Sequence, residues 1–268
     1  MQDMAKLIHQ LGHRHNAYQV FADFVEVSAI AFSNAVDKPQ FDKREQRYFD
    51  IIKRYDKDEL QQFPKLLGML TNHLEGGFDD VLGNLYHHLE IHNERSGQYF
   101  TPYPICQMMA KLQVNQGLQD IIDKKGYVSA SDPACGSGAM VVALADEMYQ
   151  QKINYQQTLH ATVVDLDPRC VHMAYVQFSL LNIPAVVVHG NSLSLEEFSH
   201  WHTPAHVLGG WPQKMERQKR FEQFQELLEV TVADTPKIVK EQPRPSPAPI
   251  EPMPPMPNVA AGTQLRLF

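Results

Sequence analysis

Three groups of residues in this chain have the types and spacing to hold a small ligand. The first is Ser131-Asp132-Pro133-Ala134-Cys135-Gly136-Ser137-Gly138-Ala139-Met140. Gly136 and Gly138 suit a tight turn on which a ligand rests against backbone. A Cβ there would hold the ligand off, and the turn can require positive φ. The second group, Val164-Asp165-Leu166-Asp167-Pro168, ends an apolar run in carboxylates. A carboxylate at the end of a second strand can accept two hydrogen bonds from the ribose hydroxyls of a nucleoside. The third is Gly190-Asn191-Ser192, where a polar side chain could meet the edge of an adenine ring. Asn191 or Ser192 equally suits the cap of a short helix over Leu195-Glu196-Glu197-Phe198.

The elements that must position these groups are legible around them. Gly126 to Ala130 reads as a short strand entering the glycine turn, and a helix follows over Met140 to Met148. Strand, glycine turn and helix form the opening unit of a nucleotide-type binding fold. A second buried strand ends at Asp165, 33 positions after Asp132 and beyond the usual interval of about 20. A longer helix and loop through Tyr149 to Thr158 account for the difference. Asp167 before Pro168 reads as a helix cap. A third strand is expected over Ala185-Val186-Val187-Val188. A fourth is expected over Ala205-His206-Val207-Leu208, ending in Gly209-Gly210-Trp211-Pro212.

Upstream, residues 1 to about 95 read as helices. Apolar residues recur at spacings of three and four through Tyr18–Phe32, Tyr48–Tyr55, Leu60–Leu70 and Val81–Leu89, with a break at Gly76-Gly77. Histidines are frequent here, including His13, His15, His87, His88 and His92, but no acidic or cysteine partner completes a recognised ligand spacing, so no metal site is expected. In Gly97-Gln98-Tyr99-Phe100-Thr101-Pro102, Thr101 suits the cap of a following helix with Pro102 at its first position. Downstream, Gln213 to Val232 is a charged amphipathic helix whose basic side chains, Lys214, Arg217, Lys219 and Arg220, form a solvated face or meet a phosphate backbone. Beyond Ala233 the composition shifts: nine of the 18 prolines lie between Pro236 and Pro257, which reads as a flexible extended tail.

The resulting organisation is a helical region over 1–95, a ligand-binding α/β domain over 96–212, an amphipathic helix over 213–234 and a proline-rich tail over 235–268. With 268 residues, 43% of them hydrophobic, the chain can build a sizeable core. A net charge of −7 argues against electrostatic coating of DNA by this chain alone. Cys106, Cys135 and Cys170 are scattered, which suggests a reducing compartment and no disulfide framework. Neither a signal peptide nor a membrane-spanning run is expected, and a cytoplasmic location follows.

Taken in order, Gly97–Pro102, Asp132–Gly138, Val164–Pro168 and Gly190–Ser192 resemble the cofactor-site motifs of adenine-N6 DNA methyltransferases, in particular the modification subunit of type I restriction systems. The resemblance covers residues 80 to 192. It implies a Rossmann-like methyltransferase fold with a shortened sheet, preceded by a helical N-terminal domain, and S-adenosylmethionine as the cofactor. By analogy Tyr99, Phe100, Thr101 and Pro102 line one wall of the cofactor site. Asp132, Ala134, Gly136 and Gly138 hold the methionine portion, Asp165 binds the ribose and Asn191 the adenine. DNA is the implied substrate, met directly or through a partner.

The family's catalytic motif, Asn/Asp-Pro-Pro followed by an aromatic residue at the end of the fourth strand, is not matched. That position reads Leu208-Gly209-Gly210-Trp211-Pro212-Gln213, where Gly210 stands in place of the Asn and Trp211 is the aromatic ring left to stack on a base. The catalytic residues are therefore unassigned, and catalytic competence is open. The tip Gln264-Leu265-Arg266-Leu267-Phe268 resembles the peptide with which bacterial proteins bind the replicative sliding clamp; Gln264, Leu265, Leu267 and Phe268 would make that contact. Two functions are thus carried forward: a DNA adenine methyltransferase-like protein, and a non-catalytic adaptor recruited to the clamp through its tail.

Overall fold

The computed structural model describes residues 1–89, 100–114 and 116–233. Residues Met1–Glu222 form one compact unit, and a second unit is Gln223–Phe268.

Six α-helices come first: α1 (Gln2–His15), α2 (Ala17–Val36), α3 (Phe41–Ile52), α4 (Lys57–Leu60), α5 (Gln62–Glu75) and α6 (Val81–His88). The expected break falls at Gly76, which closes α5. The central member is α2, which buries Val20, Phe21, Phe24, Val25, Val27, Ala29 and Ile30. It packs against α1 and α3 and against α11 (Pro168–Leu180) of the sheet layer. Burying most of its circumference explains why its apolar residues recur at mixed spacing and not along one stripe.

After α7 (Tyr103–Gln113) and α8 (Gln116–Lys125), the chain enters β1 (Val128–Asp132), α9 (Ala139–Gln150), α10 (Tyr155–Thr158), β2 (Leu159–Asp165), α11 (Pro168–Leu180) and β3 (Ala185–Asn191). The sheet order is β1-β2-β3-β4, where β4 is Glu196–His202, and β1, β2 and β3 are parallel. Asp132 pairs beside Val163, and Asp165 beside His189. The carboxyl ends of all three parallel strands therefore open on the same edge of the sheet, where open α/β sheets bind ligands. The shortened Rossmann-like fold is present, and Asp167 caps α11 by accepting from the Arg169 amide, with Pro168 at the first helical position.

The end of the sheet differs from expectation. β4 (Glu196–His202) is antiparallel to β3 and occupies the stretch expected to begin as a short helix. The cause is local: Asn191 Oδ1 accepts from the Leu193 and Ser194 amides, and Leu195 takes φ 60°, so the chain reverses into a hairpin. The residues expected as a fourth strand form α12 (Pro204–Leu208) instead. Thr203 caps it from the His206 amide with Pro204 at the first position, a helix start that outweighs a four-residue apolar run. α13 (Trp211–Ala233) follows.

Arg44 of α3 joins the helical layer to β4. Its guanidinium donates to Asp37 at 2.7 Å, to the Ser33 hydroxyl and to the His200 carbonyl at 2.7 Å, and lies 3.9 Å over the Trp201 ring.

Candidate functional site

The glycine turn leaves β1 at Asp132 and enters α9 at Ala139. Asp132 Oδ1 accepts from the Ala134 amide at 3.0 Å, and the Cys135 amide donates to Val164 O at 3.0 Å, which fastens the turn to β2. Both glycines are required. Gly136 has φ +55° and Gly138 φ +89°; an added Cβ would lie 2.9 Å from the Phe100 ring at Gly136 and 2.7 Å from the Phe178 ring at Gly138.

Asp165 closes the turn from the second strand. Its Oδ2 accepts from the Gly136 amide at 2.8 Å and its Oδ1 from the Asp167 amide at 2.8 Å. Burial pushes the Asp165 carboxyl above its ordinary range, while the two amides pull it back. One carboxylate therefore clamps the turn and still borders the cavity in front of it.

That cavity has a volume of about 420 Å³ and gathers residues from three separate motifs. Phe100 and Thr101 form one wall, Asp132, Ala134 and Gly136 the turn, and Asp165 the far side; Cys106, Met109 and Met140 add an apolar surface. Among the described residues, no lysine or arginine lines it. Burial holds the Cys135 thiol well above its ordinary value and pushes Cys106 up to about 11, so neither is a thiolate near neutral pH.

Six expected site residues, Phe100, Thr101, Asp132, Ala134, Gly136 and Asp165, thus meet at one cavity. Gly138 stands behind it, packed on Phe178. Asn191 sits at the carboxyl end of β3 and uses its side-chain oxygen to make the hairpin, while Ser192 donates to the Pro133 carbonyl of the glycine turn. Pro102 lies just before α7, which begins at Tyr103, so Thr101 is not its cap and faces the cavity instead. Tyr99, the boundary at 95/96, and Gln264, Leu265, Leu267 and Phe268 lie outside the described residues. A larger cavity of about 830 Å³, bordered by Phe78, Tyr149, Tyr155 and Asn182, lies toward the start of the strands, away from the motifs.

Trp211 corrects the expectation placed on it. It is 2% exposed, with its ring 5.1 Å from His160 and 5.4 Å from Tyr127. Those residues stand at the beginning of β2 and just before β1, so the Gly209-Gly210-Trp211-Pro212 segment lies at the opposite edge of the sheet from the cavity. Trp211 is a core side chain there, because α12 replaced the strand that would have carried it to the ligand edge.

Sequence reading missed Asp80, Ser137 and Gln177, which meet beneath the turn: Ser137 Oγ donates to Asp80 Oδ2 at 2.7 Å and Gln177 Nε2 to Asp80 Oδ1 at 3.0 Å. The available signal was an aspartate directly before the apolar helical run of α6.

Residues 78–227, more than half of the chain, match the family model of the N-6 DNA methylases. This chain belongs to the N-6 DNA methylase family. The matched span holds the glycine turn, Asp165, Asn191 and Asp80 together, in agreement with the motif resemblance. No match is found among the curated proteins. A solved structure from Listeria monocytogenes, provisionally assigned to the class I S-adenosylmethionine-dependent methyltransferases, aligns at 18% identity over 72% of this chain with a TM-score of 0.38. The alignment covers 53% of that structure, so this N-6 DNA methylase family chain spans about half its length. Among the described residues, no helix is long and apolar enough to cross a membrane, and no group of three or more metal-ligating side chains converges.

Proposed function

We propose that the glycine-turn cavity binds S-adenosylmethionine and that the chain is a methyltransferase-like member of its family acting on DNA. The observation that carries this reading is the cavity's charge. Asp132 and Asp165 border it and, among the described residues, no basic side chain does. Such a site favours a ligand with cationic groups and opposes the phosphates of a nucleotide cofactor. The sulfonium and ammonium of S-adenosylmethionine fit that field, and Gly136 presents backbone to the cavity for the ligand to lie against.

When bound, S-adenosylmethionine supplies an electrophilic methyl group. This chain's own residues bind and orient it. Asp132, Ala134 and Gly136 would hold the methionine portion with Gly138 shaping the turn behind them, Asp165 would meet the ribose, Asn191 at the end of β3 the adenine, and Phe100 and Thr101 would form the wall. The acceptor side is different. The sequence contains no Asn/Asp-Pro-Pro triplet, and its nearest counterpart at Gly210 and Trp211 lies at the far edge of the sheet. That observation favours a second reading, a non-catalytic cofactor-binding module; the tail residues Gln264, Leu265, Leu267 and Phe268, by their resemblance to a clamp-binding peptide, would separately bring it to the sliding clamp.

Calorimetric titration tests the cofactor reading. Wild-type protein should bind S-adenosylmethionine saturably, ATP should give no comparable heat, and Asp165→Ala should weaken binding at least roughly tenfold. Absence of saturable binding, or equal binding of ATP, overturns it. Methyl transfer to adenine-containing DNA by the purified chain supports the enzyme. Cofactor binding without transfer, with clamp binding lost on removal of residues 264–268, supports the module.

A further inference from the structure

The sheet-side residues of the cavity account for its walls but not for the carboxylate beneath it. Asp80 is 2% exposed, and among the described residues no lysine, arginine or histidine forms an ion pair with it. Burying a carboxylate without a cation is costly unless hydrogen bonds replace the lost water. Here they do. Oδ2 accepts from the Ser137 hydroxyl at 2.7 Å, and Oδ1 accepts from the Gln177 amide group at 3.0 Å and from the Gly83 backbone at 3.1 Å. Gln177, fully buried in α11, also donates to the Ser137 carbonyl at 2.9 Å and accepts from the Leu82 amide at 3.1 Å. Ser137 is thereby held at both its hydroxyl and its carbonyl.

The surroundings are shaped to admit this arrangement. A Cβ on Gly83 would stand 2.0 Å from Asp80 Oδ2 and 2.7 Å from Ser137 Oγ, so only glycine lets α6 approach the turn this closely. All three groups bonded to Asp80 are donors, which suits an ionised carboxylate, an acceptor only. Burial acts against that ionisation and the three donors support it. A helix cap alone would not require this: α4 is capped by the half-exposed Asp56, in contact with water.

We infer that Asp80 is a positioning residue for the ligand cavity, holding Ser137 and with it the Gly136-Ser137-Gly138 turn in the conformation that receives the cofactor. This rests on the cofactor reading above. Asp80 acts through Ser137 and Gln177 and is separated from the cavity by the turn itself.

The test is titration of the full chain with S-adenosylmethionine, comparing wild type, Asp80→Asn, Ser137→Ala and the double variant. Each is measured well below its melting temperature and checked for native circular dichroism. Asp80→Asn should weaken binding roughly tenfold, Ser137→Ala by a similar factor, and the double variant no more than the weaker single, because one linkage is being broken twice. Affinity of the wild type should also fall toward acid pH as Asp80, beside Asp79, and Asp165 at the cavity are protonated, and Asp80→Asn should remove Asp80's share of that dependence. A lower melting temperature with unchanged affinity would make Asp80 merely structural and overturn the inference, as would fully additive losses. If Asp80→Asn fails to fold, unchanged affinity in a folded Ser137→Ala overturns it alone. A wild type that binds nothing defeats the cofactor reading and this inference with it; a wild type that binds, with variants that bind equally, defeats only the inference.

Discussion

Lowering the pH from 7.5 to 5 should destabilise this protein through three buried histidines. His160 and His206 share a hydrogen bond of 2.8 Å between ring nitrogens, and His172 packs edge-on to Trp201 at 4.8 Å. Burial brings each down to about 4. His202 faces the first two, while Glu26, His189, Arg44 and Arg47 face His172. Below about pH 6.5 the unfolded chain takes up protons that the folded chain refuses until about pH 4, so stability falls as pH falls through that window. At pH 5 the gap to 6.5 is about 1.5 units, worth about 2 kcal/mol for each histidine. The three together reach about 4 to 6 kcal/mol, since the hydrogen-bonded pair is coupled. That is comparable with the whole stability of many domains. Asp80 and Asp165, raised by burial, act in the opposite sense, because the folded chain takes up their protons first. Urea unfolding followed by circular dichroism at pH 7.5, 6.5, 5.5 and 5 measures the slope, and His206→Gln should remove about 2 kcal/mol of the total fall. Equal stability at pH 7.5 and 5, or an unchanged slope in His206→Gln, would refute the reasoning.

Two further outcomes follow from the packing. Arg44→Ala should cost about 3 kcal/mol in urea unfolding, because it strands the buried Asp37 carboxylate and frees the His200 carbonyl; a cost under about 1 kcal/mol would show that the contact is idle. Trp211→Ala should cost about 3 to 5 kcal/mol yet leave S-adenosylmethionine affinity unchanged, since the ring is core at the opposite edge of the sheet; a loss of affinity in a folded variant would return Trp211 to the ligand side.

The ligand edge was legible in the sequence because its chemistry is local. A glycine turn after a strand, a carboxylate ending the next strand and a polar residue ending the third each announce themselves within a few residues, and parallel pairing brings them to one edge. The hairpin was not legible, because what reverses the chain is the Asn191 side chain bonding its own backbone, which from sequence alone equally suits a helix cap. The run Ala205–Leu208 was too short for periodicity to separate strand from helix, and Thr203-Pro204 was the better guide. Asp80 shows the limit of local reading. Its capping of α6 is visible in sequence, but its partners Ser137 and Gln177 lie 57 and 97 positions away and only the fold brings them under the turn.

A sheet of four strands has two borders, and each invites another extended chain. The β4 border is occupied from within, because Arg44 takes the His200 carbonyl and the Tyr175 hydroxyl takes the His202 carbonyl, leaving fewer acceptors for a neighbouring molecule. The β1 border is guarded differently: it is five residues long, and Ser129 and Ser131 present exposed polar groups where a longer apolar strand would be adhesive. The hairpin and the two serines thus bear on how concentrated this protein can become before its molecules begin to stick to one another.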